Sequence, residues 1–196
     1  MIMLKRTVLA LATGLLAAAP AVAADMYKID PSHAWAVYTV PNRPGTDEVG
    51  NFEKISGEVV LDKADPAKSS VKVEIATASL HTGLAQRDKD LSSPDFFNVG
   101  EFPKMMFVST KIEKIGDNTA KVTGDFTLLG VTKPVTLDVT YFGEKPLPWD
   151  PKTLKAGFMA RGTIKPADFG MKKFGDYGFG PDANLILNMD AVRPAG

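Results

Sequence analysis

The sequence predicts an all-β fold of about eight strands, arranged as a sandwich or a barrel. Three observations carry this reading. Apolar and polar residues alternate with a period of two, most cleanly at Val71, Val73 and Ile75 against Lys72 and Glu74. The same alternation sets Val135, Leu137, Val139 and Tyr141 against Thr136, Asp138 and Thr140. Clusters of Asp, Pro, Gly and Asn separate such runs at short intervals, and no stretch carries the periodicity of a long helix. As a barrel, eight strands would leave an interior that side chains fill or that holds one small ligand.

In chain order, residues 25–40 read as two strands about a turn at Asp30-Pro31-Ser32, since Asp-Pro favours turn initiation. In the second, Trp35, Val37 and Thr39 share one face, and Ala36, Tyr38 and Val40 the other. Pro41–Glu48, with two prolines and a glycine, reads as a loop. Phe52–Leu61 is a strand with a bulge expected at Ser56-Gly57. Asp62–Ser69 turns about Asp65-Pro66 into the strand Ser70–Ala76. A short helix is expected over Ala85–Leu91, followed by the irregular stretch Ser92–Gly100. Met105–Ile115 and Ala120–Leu129 are strands about Gly116-Asp117-Asn118. A tight turn over Gly130–Pro134 leads into Val135–Tyr141 and completes a hairpin. Glu144–Thr153 holds three prolines and reads as a loop before the strand Leu154–Ile164. Lys165–Asn184, rich in glycine, reads as a long irregular connection, its Gly178-Phe179-Gly180 triplet as backbone freedom, and Leu185–Met189 as the last strand.

Lys5-Arg6, the apolar run Thr7–Ala19 and Ala21-Val22-Ala23 have the three parts of a secretory signal peptide. The apolar run is too short for a membrane span. Residues 1–24 are therefore expected to be a cleaved leader and residues 25–196 a single domain, long enough for its own core. The chain has no cysteine, which excludes thiol catalysis, thiolate metal sites, disulfides and a lipidated N-terminal cysteine. Without Lys5 and Arg6 the balance is 21 basic to 23 acidic side chains. No basic block survives to bind nucleic acid, and no polybasic or amphipathic segment offers a stable membrane anchor.

Catalytic signatures are sparse. His33 and His81 stand at a strand start and a strand end, without metal-ligand spacing to each other or to nearby carboxylates. Nucleophile-elbow, dinucleotide and phosphate-loop patterns are absent. Arg87-Asp88 has two readings: a solvated or locally paired couple on a short helix, or a latch fixing a segment over a barrel mouth. Phe96, Phe97, Phe102 and Phe107 divide in the same way, between plain core and a lid over an apolar ligand.

A dispersed set of residues then narrows the choice. It runs Ile29-Asp30-Pro31-Ser32-His33, Gly50-x-Phe52, Thr82-Gly83, Arg87-Asp88, Leu91, Asp95-Phe96-Phe97, Phe102-Pro103, Phe107 and Ser109-Thr110. It ends with Gly124, Gly130-Val131-Thr132-Lys133 and Asp168-Phe169-Gly170-Met171. In order and spacing it resembles the YceI-like family of periplasmic, lipocalin-like, polyisoprenoid-binding proteins. The resemblance implies an extended antiparallel eight-stranded lipocalin-like barrel with a short helix and long loops. It implies a periplasmic carrier, not an enzyme, holding a long-chain isoprenoid (quinone or prenol) or similar amphiphilic lipid in the barrel interior. No cofactor is expected beyond that bound polyisoprenoid. Expected partners are a long-chain apolar small molecule and no nucleic acid, with a homodimer left open. The rival reading is a small periplasmic hydrolase or isomerase using His33 or His81.

Carried over from the family pattern by strand parity, the ligand-binding candidates are Tyr38, Phe52, Met105, Phe107, Phe126, Leu128, Leu137, Phe158, Leu187 and Met189, joined by Phe96 and Phe97 of the candidate lid. Arg87 and Asp88 are the expected polar latch or head-group region. Ala36, Val59, Leu61, Val71, Val73, Ile75, Val135, Val139 and Leu185 are also expected to point inward. Three positions depart from the family pattern: Asn42 and Asp90 stand where histidines are usual, and Pro166 where an arginine is. These departures favour a neutral head group, while Arg87, Arg161 and nearby lysines keep an anionic one open.

Overall fold

The computed structural model describes residues 24–42 and 45–194, so the expected leader over residues 1–24 lies outside the described residues but for Ala24. Ten strand segments form one sheet. They are β1 Asp25–Asn42, β2 Thr46–Phe52, β3 Ile55–Leu61, β4 Ser70–Ala76 and β5 Leu80–His81, then β6 Lys104–Lys114, β7 Thr119–Leu128, β8 Val131–Leu147, β9 Asp150–Ile164 and β10 Ala183–Pro194. β10 pairs back onto β1 and closes the ring. Along β1, β3 pairs with the first residues and β2 with the last, while β4 and β5 flank them in turn. The ten segments are therefore the eight staves of a closed antiparallel barrel, accompanied by one short helix, α1, Ala85–Leu91. This is the expected fold class. The end that carries α1 is called upper below.

Two staves are broken at the same height, and buried hydroxyls repair the gap. Between β2 and β3 the amides of Glu53 and Lys54 donate to the Ser79 hydroxyl at 3.2 and 3.0 Å. Ser79 itself donates to the Ala76 carbonyl at 2.7 Å, and Thr77 donates to the Phe102 carbonyl at 2.7 Å. Buried polar groups need partners, and here each hydroxyl supplies one to backbone that left its ladder.

Bulges decide what faces inward. In β1 the register jumps from Ile29↔Ala191 to Ala34↔Met189. The expected turn at Asp30-Pro31-Ser32 is thus a wide bulge inside one long strand. Asp30 organises it, accepting from the Ser32 amide at 3.0 Å and the Ser32 hydroxyl at 2.6 Å. In β8 a bulge between Tyr141 and Glu144 reverses the alternation. Leu137, Val139 and Tyr141 point in before it, and Glu144 after it. Glu144 then reaches across the lower end of the barrel to accept from the Tyr27 hydroxyl and the Lys63 ammonium. Asp25 joins this group, 3.1 Å from Lys63 and 3.0 Å from Arg193. The Arg193 guanidinium lies 5.3 Å from the Tyr27 ring centroid, a cation–π contact.

Four local expectations are corrected by the pairing. Pro41–Glu48 is not a loop: Asn42 pairs with Thr46, and Pro41 with Asp47. Pro41 lies beyond the last β1–β10 pair, Thr39↔Asn184, so one of its flanks has no ladder to break. Glu144–Thr153 is likewise strand on both sides of a two-residue turn at Pro148-Trp149, and its prolines sit near the hairpin end. The turn expected over Gly130–Pro134 is only Leu129-Gly130, both at positive φ (51° and 73°), with Leu128 paired to Val131. Pro134 pairs with Asp125 before β9 joins at Asp138, again with one free flank. No bulge occurs at Ser56-Gly57, where register is unbroken from Ile55 to Val60; Gly57 marks the close approach of the Lys72 carbonyl instead.

Candidate functional site: a two-chambered apolar interior

Inward alternation on all eight staves leaves the barrel hollow. The upper chamber encloses about 300 Å³ and the lower about 250 Å³. Of the twelve candidates, Tyr38, Phe52, Phe96, Phe97, Met105, Phe126 and Leu128 line the upper chamber. Phe158 and Met189 line the lower. Phe107, Leu137 and Leu187 line both, together with Val73. The remaining residues expected to point inward also line one chamber or the other. For the candidates that lie on strands, the inward face expected from strand parity is the face the structure shows, while Phe96 and Phe97 lie in a turn, outside any strand.

The upper chamber is roofed by two segments far apart in sequence. The first is α1 with the turn that follows it, which buries Phe96 and Phe97. Phe97 meets Phe52 edge-on at 5.2 Å and lies 6.4 Å from the Tyr38 ring. The second is the connection from β9 to β10, with 3-10 helices over Pro166–Phe169 and Lys172–Tyr177. Its Met171, Phe174, Tyr177 and Phe179 face the chamber. Phe174 and Phe179 pack at 5.6 Å, and Phe169 meets Phe126 edge-on at 5.4 Å. A Phe96–Tyr177 contact at 5.4 Å and a Lys173–Asp95 ion pair at 2.7 Å tie the two segments together.

This second roof segment was missed by the sequence reading, which took its glycines as freedom. The usable signal was four aromatic residues within Phe169–Phe179. Phe179 lies inside the glycine triplet, yet Asn42 bridges to it and the Gly180 amide donates to the Pro41 carbonyl at 2.7 Å.

Arg87 and Asp88 separate in space. Arg87 lines the upper chamber and pairs with Glu48 of β2, so it fastens α1 to the barrel wall. Asp88 turns back from the chamber to accept from the Thr82 amide at 2.8 Å and the Thr82 hydroxyl at 2.6 Å. Those Thr82 hydrogen bonds, with His81 at 3.5 Å, hold the Asp88 carboxyl below the usual carboxylate range. Asp90 also lines the chamber, bound by Gln86 at 2.8 Å. Asn42 donates to Glu48 at 3.2 Å, and Pro166 lines the chamber beneath the second roof segment. The three positions that depart from the family pattern thus gather around one mouth. Its charged groups are Glu48, Arg87 and Asp90, with Arg87 already paired. Arg161 faces the outside of the barrel, so it adds nothing to that mouth.

Tyr38 is the polar group set deepest in this wall. Its ring packs over Gly50 and 6.0 Å from Phe52. Burial pushes its phenol well above the ordinary range, against the pull of nearby Arg87. The hydroxyl has no hydrogen-bond partner among the described residues. His33 and His81 line neither chamber: His33 holds Asp30 at 2.9 Å in the outer bulge, and His81 faces Asp88. Among the described residues no group of three or more His, Cys, Asp or Glu side chains could hold a metal ion.

Comparison with known proteins agrees with this architecture. A family model described as the YceI-like domain matches residues 27–191. A UPF0312 protein of Pseudomonas putida strain W619 is 43 % identical over 174 residues, 87 % of this chain and 89 % of that one. Burkholderia cenocepacia BcnA superposes with a TM-score of 0.72 at 22 % identity, covering 84 % of this chain and 99 % of BcnA. A polyisoprenoid binding domain from Saccharophagus degradans superposes with a TM-score of 0.63 at 14 % identity, covering 86 % and 98 %. At such identities the two structures share the fold with this chain.

Proposed function

The chain belongs to the YceI-like family, and from that premise we propose that it is a binding protein rather than an enzyme, a carrier of an isoprenoid or similar amphiphilic lipid. The observation that carries the reading is the roofed apolar interior, walled by side chains from every stave. Large, well-formed apolar cavities with a few convergent polar groups are the usual form of a small-molecule site. The polyisoprenoid binding of the Saccharophagus domain supports the ligand class. The leader expected over residues 1–24 supports a periplasmic carrier.

Capacity and polarity narrow the ligand. An apolar cavity of about 150 Å³ takes up benzene, so each chamber has room for roughly a dozen carbons. Burial of each methylene contributes about 0.8 kcal/mol before ordering costs. One head-group hydrogen bond contributes about 1 kcal/mol, so the tail dominates affinity. At the mouth Arg87 is neutralised by Glu48 and Asp90 is acidic. That balance favours a neutral quinone or prenol over an isoprenoid pyrophosphate, with the Tyr38 hydroxyl available to its oxygen.

Mass spectrometry of organic extracts from gently purified protein tests the reading, followed by titration of delipidated protein. An isoprenoid recovered in near-stoichiometric amount, and affinity that climbs with tail length, are expected. A flat response to tail length with a steep response to a phosphate head would overturn it.

A further inference from the structure

The two chambers meet at a waist formed by Val73, Phe107, Leu137 and Leu187. Beside two of these, Phe107 and Leu137, the neighbouring stave offers bare backbone. Phe107 on β6 lies over Gly124 of β7, and Leu137 on β8 lies over Gly162 of β9. A Cβ on Gly124 would stand 2.5 Å from Phe107 Cζ, and one on Gly162 would stand 2.5 Å from Leu137 Cδ2. No such contact is tolerated, so both side chains lie back against the wall only because these two inward positions carry no side chain. Small and large inward residues commonly alternate to fit a barrel's taper. Here the small ones sit where the lumen would otherwise be pinched.

We infer that Gly124 and Gly162 set how far an apolar chain runs down the barrel, with the lower chamber as the seat of its far end. This rests on the binding role proposed above and adds what decides the accepted length. With the waist open, a tail of about twenty carbons has both chambers to fill. With it shut, only the dozen or so carbons of the upper chamber are rewarded. The two glycines differ as probes. A methyl on Gly124 would also meet the Val108 carbonyl at 2.5 Å, so backbone would have to move. On Gly162 the near atom is the tip of Leu137, and the Thr136 carbonyl is 3.3 Å away. Gly162→Ala therefore pushes a side chain into the lumen and leaves the strand in place.

The test uses delipidated protein and two neutral prenols, of ten and twenty carbons, titrated against wild type, Gly162→Ala and the double variant Gly162→Ala/Leu137→Ala. Wild type is expected to bind the longer prenol at least about tenfold more tightly. Gly162→Ala should keep its affinity for the shorter prenol within about twofold and lose that tenfold gain. Removing Leu137 as well should restore it. A Gly162→Ala protein that keeps the gain, or loses both affinities alike, overturns the inference, as does a double variant that fails to recover. If Gly162→Ala does not fold, Leu137→Phe narrows the same waist from the other stave, with the same expected pattern. Should wild type bind neither prenol, the binding role itself is wrong, an outcome distinct from the others.

Discussion

Phe126 stands 8 % exposed on β7, edge-on to Phe169. Phe126→Asp buries a carboxylate in an apolar wall, and a loss on the order of 3–5 kcal/mol is expected from chemical denaturation. An unchanged midpoint would mean that β7 presents its other face. Tyr38→Phe makes the opposite probe. The hydroxyl has no partner within the described chain, so stability should stay within about 0.5 kcal/mol. Affinity for a quinone or prenol should fall by about 1 kcal/mol if its oxygen meets that hydroxyl. Glu144 gives the pH dependence. Burial pushes its carboxyl up, but hydrogen bonds from Lys63 and Tyr27 outweigh burial and hold it below the ordinary range. A carboxyl depressed in the folded state stabilises above its unfolded pKa of about 4.3 and loses that contribution as pH falls through the folded value. Urea midpoints should therefore drop with acid from about pH 5 downward. Glu144→Gln should lower the neutral midpoint and flatten this slope, while Asp30, Glu74 and Asp88, also depressed, keep part of it.

Among the elements, α1 is fastened by side chains rather than by a ladder. Arg87 grips Glu48, and Asp88 grips Thr82. Arg87→Ala should raise amide exchange over Ala85–Gly100 several-fold and leave β6 and β7 unchanged, as local opening below the global unfolding free energy does. Equal acceleration everywhere would show that the latch supports the barrel and not just its roof. The elements also show where a sequence is readable. Inward faces were legible because burial enforces a period of two wherever one side is core. Ala85–Leu91 was legible from composition and length. Pro41, Pro134 and the prolines after Glu144 misled because a proline's cost depends on whether a neighbour needs its N–H, and pairing decides that. The segment after β9 misled for the opposite reason: its aromatics have no period, since the helices there are short and its packing partners, Phe126 on β7 and Phe96 in the turn after α1, are distant in sequence.

At the scale of the molecule, strand count and spacing left a sandwich and a barrel open, and the resemblance to the YceI-like family chose the closed barrel that the structure has. The two chambers and the waist between them were not legible, since they depend on which inward side chains of different staves meet at one height, Val73, Phe107, Leu137 and Leu187. Closure joins β1 to β10, the most distant strands in the chain. Removing residues 183–196 should therefore abolish cooperative unfolding rather than trim stability, because it opens the ring on both flanks and bares an apolar interior. A truncated chain that still melts in one sharp transition would contradict this.

The same closure dictates an order of events during biosynthesis. The strand made first must wait for the strand made last, and until residue 194 has emerged the flank of β1 that faces β10 has no partner. An unpaired flank of that length invites adhesion to other nascent copies. The Asp30–His33 bulge breaks it near the middle, with Pro31 offering no N–H and Asp30 spending its carboxylate on Ser32 and His33. What looks like an irregularity in the finished barrel is thus also an interruption of that flank while the barrel is still open.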